Sequence, residues 1–481
     1  MTFELSKRKQ AIWKQSEAYA GEFDRWLEKK QYFQTEDIQY LKFLIPAHSK
    51  ILDLGCGLGD KLAALQPSEG VGIDFSPSMI EAAKKRHSNP NLTFTAGDIE
   101  DKNCTESLTG PFDIILISDV IGLLDDCQQT LSQLQPLCDH NTRIIISYYS
   151  QFWDPIIKLA ELFGEKIPQP NHNFLSTTDI FNLLQLANLK PIKREWRQLI
   201  PKHFFGIGDF VNRYIATLPF IRRLCLRNYV VARTAYQLKP QHPSTTVVIP
   251  CRNEKGNVEA AIQRMPAFCD DLEIIFVEGN SQDGTLEEIH RVIKAYPQYQ
   301  IQALVQTGKG KGDAVRLAFD KATKDILMIL DGDLTVPPED LPKFYQALTD
   351  DKGEFVNGSR LVYPMENEAM RFLNFVANKG FSWIFTYLLN QRFTDTLCGT
   401  KVLYREHYQK IAANRDYFGD FDPFGDFDLI FGASKLNLEV VEIPVRYKAR
   451  TYGETQISRF QHGWLLLKMV VFAYRKLKAF F

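Results

Sequence analysis

Two carboxylates one residue apart, Asp331 and Asp333, follow the apolar run "ILMIL" and precede "LTVPPE". Like charges at that separation are costly unless a cation shares them. A hard divalent ion, Mg²⁺ or Mn²⁺, held by these two oxygen donors would keep several waters and take its remaining oxygens from a substrate phosphate. That is the chemistry of a departing nucleoside diphosphate. The same D-x-D pattern also arises in ordinary turns after strands, so its neighbours must decide.

A second group of residues lies in the first half of the chain. "ILDLGCGLGD" ends an apolar run in Asp53, followed by Gly55 and Gly57, and glycines there let the backbone turn sharply and approach a ligand. "GVGIDFSPSMIEAAKKR" places Asp74 at the end of a second strand, where a carboxylate can accept from two ribose hydroxyls. Asp98 and Ile99 close "LTFTAGDIED", and Ser118 and Asp119 close "FDIILIS" with its following turn. Four strands ending in polar residues define a ligand crevice at one edge of a parallel sheet. A nicotinamide-dependent dehydrogenase would also use such a crevice, but the loop reads G-C-G-L-G rather than G-x-G-x-x-G, and no catalytic dyad accompanies it.

This series resembles class I S-adenosylmethionine-dependent methyltransferases over about residues 35 to 235. The resemblance implies a Rossmann-like fold and S-adenosylmethionine as cofactor. It also implies that Asp53, Gly55 and Gly57 cradle the methionine part, Asp74 the ribose, and Asp98 with Ile99 the adenine edge, with Ser118 beside them. Methyl transfer asks mainly for alignment of the acceptor with the sulfonium carbon, so the acceptor is far less legible than the cofactor. Asp119, Asp125, Tyr149 and His172 could line an acceptor pocket or serve as caps and surface groups. Ser176 and Asp179 have the spacing of a helix cap.

The second half carries "VVIPCRNE", "VEGNSQDGT" and "DGDLTVPPE", then "GSRLV", "DTLCGTKVLYRE" and "EIPVRYKARTYGETQIS" in that order. These resemble family 2 glycosyltransferases of GT-A fold, and within them the dolichyl-phosphate mannose synthase group. The resemblance implies a nucleotide-sugar donor, with Pro250, Arg252, Glu254 and Glu278 around its base and ribose, and Gly332 at the ribose or phosphate. It further implies Asp331 and Asp333 as metal ligands and Arg360 and Arg450 as bidentate phosphate holders. Four departures stand out: Glu278-Gly279 in place of paired aspartates, Arg252 where an aromatic is common, Thr335 for a frequent amide, and Gln456 where lysine is frequent. They leave nucleotide and sugar open. In "DYFGDFDPFGDFDLIFGA", Asp426 or Asp428 is a candidate base for a hydroxyl acceptor, with Asp426 the one assigned, or one of several carboxylates that favour a helix N-terminus.

The elements that must position these groups follow from the alternation of strand, turn and helix in both halves, which predicts two α/β domains with mainly parallel sheets. The boundaries are residues 1–238 for the methyltransferase-like domain, a Pro-containing linker at 239–244, residues 245–460 for the GT-A domain, and an amphipathic C-terminal helix at 461–481. A length of 481 residues agrees with two cores. Lys plus Arg number 57 against 58 Asp plus Glu, which provides no basic field for nucleic acid. Eight scattered cysteines form no C-x-x-C pair and point to a reduced, cytoplasmic setting rather than a disulfide or zinc framework.

The expected activity is therefore bifunctional: methyl transfer from S-adenosylmethionine, and metal-dependent sugar transfer to polyprenyl phosphate or another lipid-linked acceptor. An alternative is a transferase acting on a sugar or protein hydroxyl, with the first half a docking module. No run reaches the roughly 20 apolar residues of a spanning helix. The aromatic-rich stretch 370–393 and the terminal "WLLLKMVVFAYRKLKAFF" predict peripheral attachment to the cytoplasmic face of a membrane, with Lys468, Arg475 and Lys478 opposite the apolar side. Simple capping of the transferase core is the competing role for both.

Overall fold

The computed structural model describes residues 6–19, 29–166, 172–235, 242–363, 372–417, 427–453 and 459–479. Its contacts divide the chain into two compact units, one of Met1–Leu238 with Ala479–Phe481, the other of Lys239–Lys478.

Among the described residues the first unit holds a seven-stranded sheet in the order β3-β2-β1-β4-β5-β7-β6. Its strands are β1 (Lys50–Leu54), β2 (Glu69–Asp74), β3 (Leu92–Ala96), β4 (Ile114–Ser118), β5 (Arg143–Tyr149), β6 (Leu189–Arg197) and β7 (Arg227–Thr234). β1 to β5 pair in parallel, and β7 runs antiparallel between β5 and β6. β4 is buried at every position, as a strand must be when helices cover both faces of its sheet. Turn chemistry then sets the helices: Ser76 caps the helix Pro77–Arg86 by accepting from Met79 N, with Pro77 in the first turn. Ser176 and Asp179 form a reciprocal capping box on the helix Thr177–Leu186, as their spacing predicts.

The second unit repeats the plan with β8 (Thr245–Cys251), β9 (Leu272–Glu278), β10 (Gln300–Val305), β11 (Ile326–Ile329), β12 (Phe355–Ser359), β13 (Lys401–Tyr404) and β14 (Val440–Pro444), ordered β10-β9-β8-β11-β13-β12-β14. β8 to β11 are parallel, and β13 is antiparallel to both its neighbours. Each sheet therefore opens with the same arrangement, a first strand flanked by the second and fourth, which leaves a crevice at their carboxyl ends.

The expectation for the C-terminal helix needs correction in its apolar stripe and in Lys478. In Arg459–Leu477, Leu466, Met469, Ala473 and Leu477 are buried, and the helix packs against Phe372–Leu389. That regular stripe belongs to the unit's own interior. Lys478 is buried as well, donating to Asn390 Oδ1 at 2.9 Å and lying over the Tyr387 ring, so it does not extend an outer cationic face. Trp464, Leu467 and Val471 form a separate outward set beside the exposed Lys468 and Arg475. Among the described residues, no helix is long and apolar enough to cross a membrane.

Candidate functional site

In the first unit the crevice begins at Asp53, almost wholly buried at the end of β1. Its Oδ1 has no hydrogen-bond partner, and burial pushes its carboxyl up to about 7, against the pull of Lys61. A buried acceptor left without a donor is rare and fits a ligand that brings one. Gly55 N and Cys56 N donate to Ile73 O, folding the loop back on β2. Gly55 has φ +80°, and a Cβ there would meet Val120 Cγ2 at 2.1 Å. Gly57 has φ +53° with nothing within 4 Å of the Cβ position, so the backbone faces open space.

Asp74 accepts from Gly57 N at 2.9 Å and Ser76 N at 3.0 Å, one bond per oxygen, which leaves lone pairs for further donors. Asp98 accepts from Glu100 N at 3.0 Å, and Lys9 Nζ is bonded to its other oxygen. Lys9 also pairs with Glu100 at 2.7 Å. It sits on the helix Lys7–Tyr19, whose Arg8 donates to Gly122 O and Leu124 O and whose Glu17 bonds Ser76 and Ser78. A helix with no sequence motif thus lies across the edge formed by β2, β3 and β4. Ile99 is buried among core side chains.

The Ser118 hydroxyl is engaged within the protein. It is bonded to Ser147 Oγ at 2.9 Å and receives Lys61 Nζ at 2.6 Å, at the margin of a charged cluster that the sequence did not announce. Lys61 pairs with Asp37 at 2.8 Å and Asp119 at 3.0 Å. Arg227, fully buried on β7, pairs with the same two aspartates and lies over the rings of Tyr149, Phe33 and Tyr229. Two acids thereby face two bases, the condition under which buried charge is tolerated. Burial works against the charge of Asp119, yet Arg227 and Lys61 hold its carboxyl well below the usual carboxylate range.

In the second unit a cavity of about 710 Å³ brings together Pro250, Arg252, Glu254, Asp331, Gly332, Asp333, Arg360 and Arg450. The sequence reading missed Lys309, Lys311 and Lys448, which line it too. Asp331 Oδ1 lies 2.6 Å from Lys311 Nζ, and Asp333 Oδ2 lies 2.6 Å from Arg450 Nη2. Burial opposes the charge of Asp331, but Lys311, with Lys401 and Arg360 behind it, holds its carboxyl below the usual value. Asp333 Oδ1 accepts from Thr335 N and Oγ1, at 3.1 and 2.8 Å. Glu254 accepts from Arg450 Nη1 at 3.3 Å and Asn257 Nδ2 at 2.6 Å, and burial raises its carboxyl to about 7. Gly332 admits no side chain, since a Cβ would meet Pro250 O at 2.6 Å.

Two expected residues depart from their assigned places. Glu278 is buried and accepts from Ser281 N, so Gly279 and Asn280 line the cavity instead. Arg360 directs Nε and Nη2 to the buried Asp395 at 2.7 and 2.8 Å, and the fork expected for phosphate is engaged there. Asp426 and Gln456 lie outside the described residues. Asp428, on the helix Phe427–Lys435, is paired with Arg316 at 3.0 Å and Arg415 at 3.6 Å, which occupies it structurally.

Among the described residues, no group of three or more His, Cys, Asp or Glu is placed to hold a metal. The donor set of Asp331 and Asp333 suits a hard ion that completes its shell with water and substrate oxygens.

Residues 45–199 match the model of a methyltransferase domain and residues 246–411 that of glycosyl transferase family 2. The dolichol-phosphate mannosyltransferase of Saccharomyces cerevisiae is 34% identical over 111 residues, covering 22% of this chain and 41% of that protein. The Pyrococcus furiosus protein of the same description is 28% identical over 219 residues, 44% of this chain and 59% of the relative. The chain thus spans about half the length of these relatives. A Thermotoga maritima structure described as an S-adenosylmethionine-dependent methyltransferase, possibly acting on histamine, is 18% identical, covering 46% of this chain and 99% of its own, with a TM-score of 0.36. Residues 45–199 form a methyltransferase domain and residues 246–411 a family 2 glycosyltransferase domain, joined in one chain.

Proposed function

We propose that the protein is a bifunctional transferase whose second unit moves a sugar from a nucleoside diphosphate to polyprenyl phosphate, while its first unit moves a methyl group from S-adenosylmethionine. The charge of the second cavity carries the reading. Six cations, Arg252, Lys309, Lys311, Arg360, Lys448 and Arg450, line it with three carboxylates, Glu254, Asp331 and Asp333. Lys311 and Arg450 pair with those carboxylates and Arg360 with Asp395. Arg252, Lys309 and Lys448 remain as surplus positive charge, which suits two phosphate-bearing substrates better than a neutral hydroxyl acceptor.

A divalent ion held by Asp331 and Asp333 would supply neutralisation of the leaving diphosphate. Lys311 and Arg450 are placed to transfer from these carboxylates to substrate phosphate oxygens. An acceptor phosphate is already an oxyanion and needs no base, which agrees with the engagement of Asp428 by two arginines. In the first unit the undonated Asp53 Oδ1 and the open face at Gly57 support a bound cofactor with an ammonium group. This favours an active methyltransferase over a docking module.

All eight cysteines are free thiols, in keeping with a reduced compartment. The exposed Trp464, Leu467 and Val471, with Lys468 and Arg475, support contact of the second unit with a membrane surface. The test is turnover of nucleotide sugars, first selected by thermal shift with Mn²⁺, against polyprenyl phosphate and against soluble hydroxyl acceptors. Transfer to the hydroxyl acceptors alone would end the lipid-phosphate reading.

A further inference from the structure

The methyltransferase unit exposes apolar side chains in a pattern its own core does not use. The helix Asp154–Leu162 buries Ile157 but turns Ile156, Leu159 and Leu162 outward, followed by Phe163. Leu162 is 79% exposed and Phe163 72%. Beside this helix lies the segment 202–224, tied to it by Trp153 Nε1 donating to Leu224 O at 2.7 Å and by Lys202 pairing with Glu165 at 2.9 Å. There Phe205 is 102% exposed and Phe220 87%.

The backbone at these phenylalanines is equally unusual. Phe204, Phe205 and Phe220 have φ of +44°, +55° and +68°. A bulky L-residue seldom occupies that region, and such conformations concentrate where a structure holds a side chain in place for use. Here two turns hold the Phe205 and Phe220 rings in solvent. The neighbouring charge is one-sided: residues 202–224 contain Lys202, Arg213, Arg222 and Arg223 against Asp209 alone. Arg222 and Arg194 both lie over the Trp196 ring, at 4.9 and 5.1 Å. Burial, then Arg223 and Arg222, pull Arg194 below its usual value, as expected where like charges are packed together.

We infer that this face, the outer side of Asp154–Leu162 with the Phe205 and Phe220 turns, inserts into the interface of an anionic lipid bilayer. Apolar tips flanked by arginines have the complementarity of such a surface: aromatic rings enter the acyl boundary while guanidinium groups meet phosphate headgroups. Large exposed apolar patches on folded domains mark interaction sites, and the clustered positive charge selects an anionic lipid surface over an apolar protein partner. The attachment belongs to the first unit and is independent of the acceptor used by the second.

The full-length chain is tested by flotation with vesicles of phosphatidylcholine alone and of phosphatidylcholine with phosphatidylglycerol, at low and high salt. Wild type is expected on the mixed vesicles, and Phe205→Ser with Phe220→Ser should lower its partition coefficient on the order of tenfold. Arg222→Glu with Arg223→Glu should produce a loss confined to the anionic vesicles and to low salt. Phe205 and Phe220 are outside the core, so an unchanged melting temperature and unchanged S-adenosylmethionine binding accompany the expected result for the serine variant. Unaltered partition in both variants overturns the inference. So does a Phe205→Ser, Phe220→Ser chain that keeps its vesicle binding but changes mass in solution, which would make the face a protein interface.

Discussion

Lys311 Nζ lies 2.6 Å from Asp331 Oδ1, and the pair occupies space that only a glycine at position 399 leaves open. A Cβ on Gly399 would stand 2.0 Å from Asp331 Oδ2 and 2.3 Å from Lys311 Nζ. Gly399→Ala should therefore displace a carboxylate rather than merely tighten packing. We expect a normal circular dichroism spectrum, a stability loss of about 1–3 kcal/mol, and sugar transfer reduced about a hundredfold. Near wild-type transfer would show that the Asp331 geometry is not needed.

Asp333→Asn removes one charge without changing volume and also ends the ion pair with Arg450. The barrier to sugar transfer should rise by about 3 kcal/mol, with S-adenosylmethionine binding unaffected. Full activity of this variant in chelator-treated buffer would remove the divalent ion from the reaction.

Asp53 links cofactor binding to pH. Its carboxyl is raised from 3.8 to about 7 by burial, so the folded protein holds that proton more tightly than the unfolded chain. The destabilisation is absent at acid pH and grows as pH rises through this window, reaching on the order of 4 kcal/mol when the group is fully ionised. A ligand ammonium beside Oδ1 would favour the ionised form. Calorimetric affinity for S-adenosylmethionine should accordingly strengthen from about pH 5.5 to about pH 7.5, and Asp53→Asn should flatten the profile. An equally steep profile in that variant would assign the dependence to another group.

Arg227→Met leaves Asp37 and Asp119 with Lys61 as their shared cation. Removing one partner of a buried pair typically costs about 3–5 kcal/mol. Urea unfolding should show this loss in the transition of the first unit, while donor-induced stabilisation of the second is retained. Restoring stability by adding Asp119→Asn would demonstrate that stranded charge, and not lost volume, is responsible.

The succession of strands along the chain, the glycine loop after β1, the carboxylates at Asp53, Asp74 and Asp98, and the Asp331–Asp333 pair were all legible in the sequence. Each depends on a local rule: apolar runs make buried strands, turns need glycine or aspartate, and both mainly parallel sheets open their crevices where the parallel strands end. The partners of those carboxylates were not legible. Lys9 meets Asp98 across 89 positions, Arg450 meets Asp333 across 117, and Arg227 meets Asp37 across 190. No periodicity records such pairings, because a charge finds its partner through space and the intervening chain can be of any length. The same reason accounts for Arg360 held by Asp395 and for the C-terminal helix giving its Leu466, Met469, Ala473 and Leu477 stripe to the unit's interior. An amphipathic pattern specifies that a helix has an apolar side. Whether that side meets core, partner or lipid is decided only when the rest of the chain has packed.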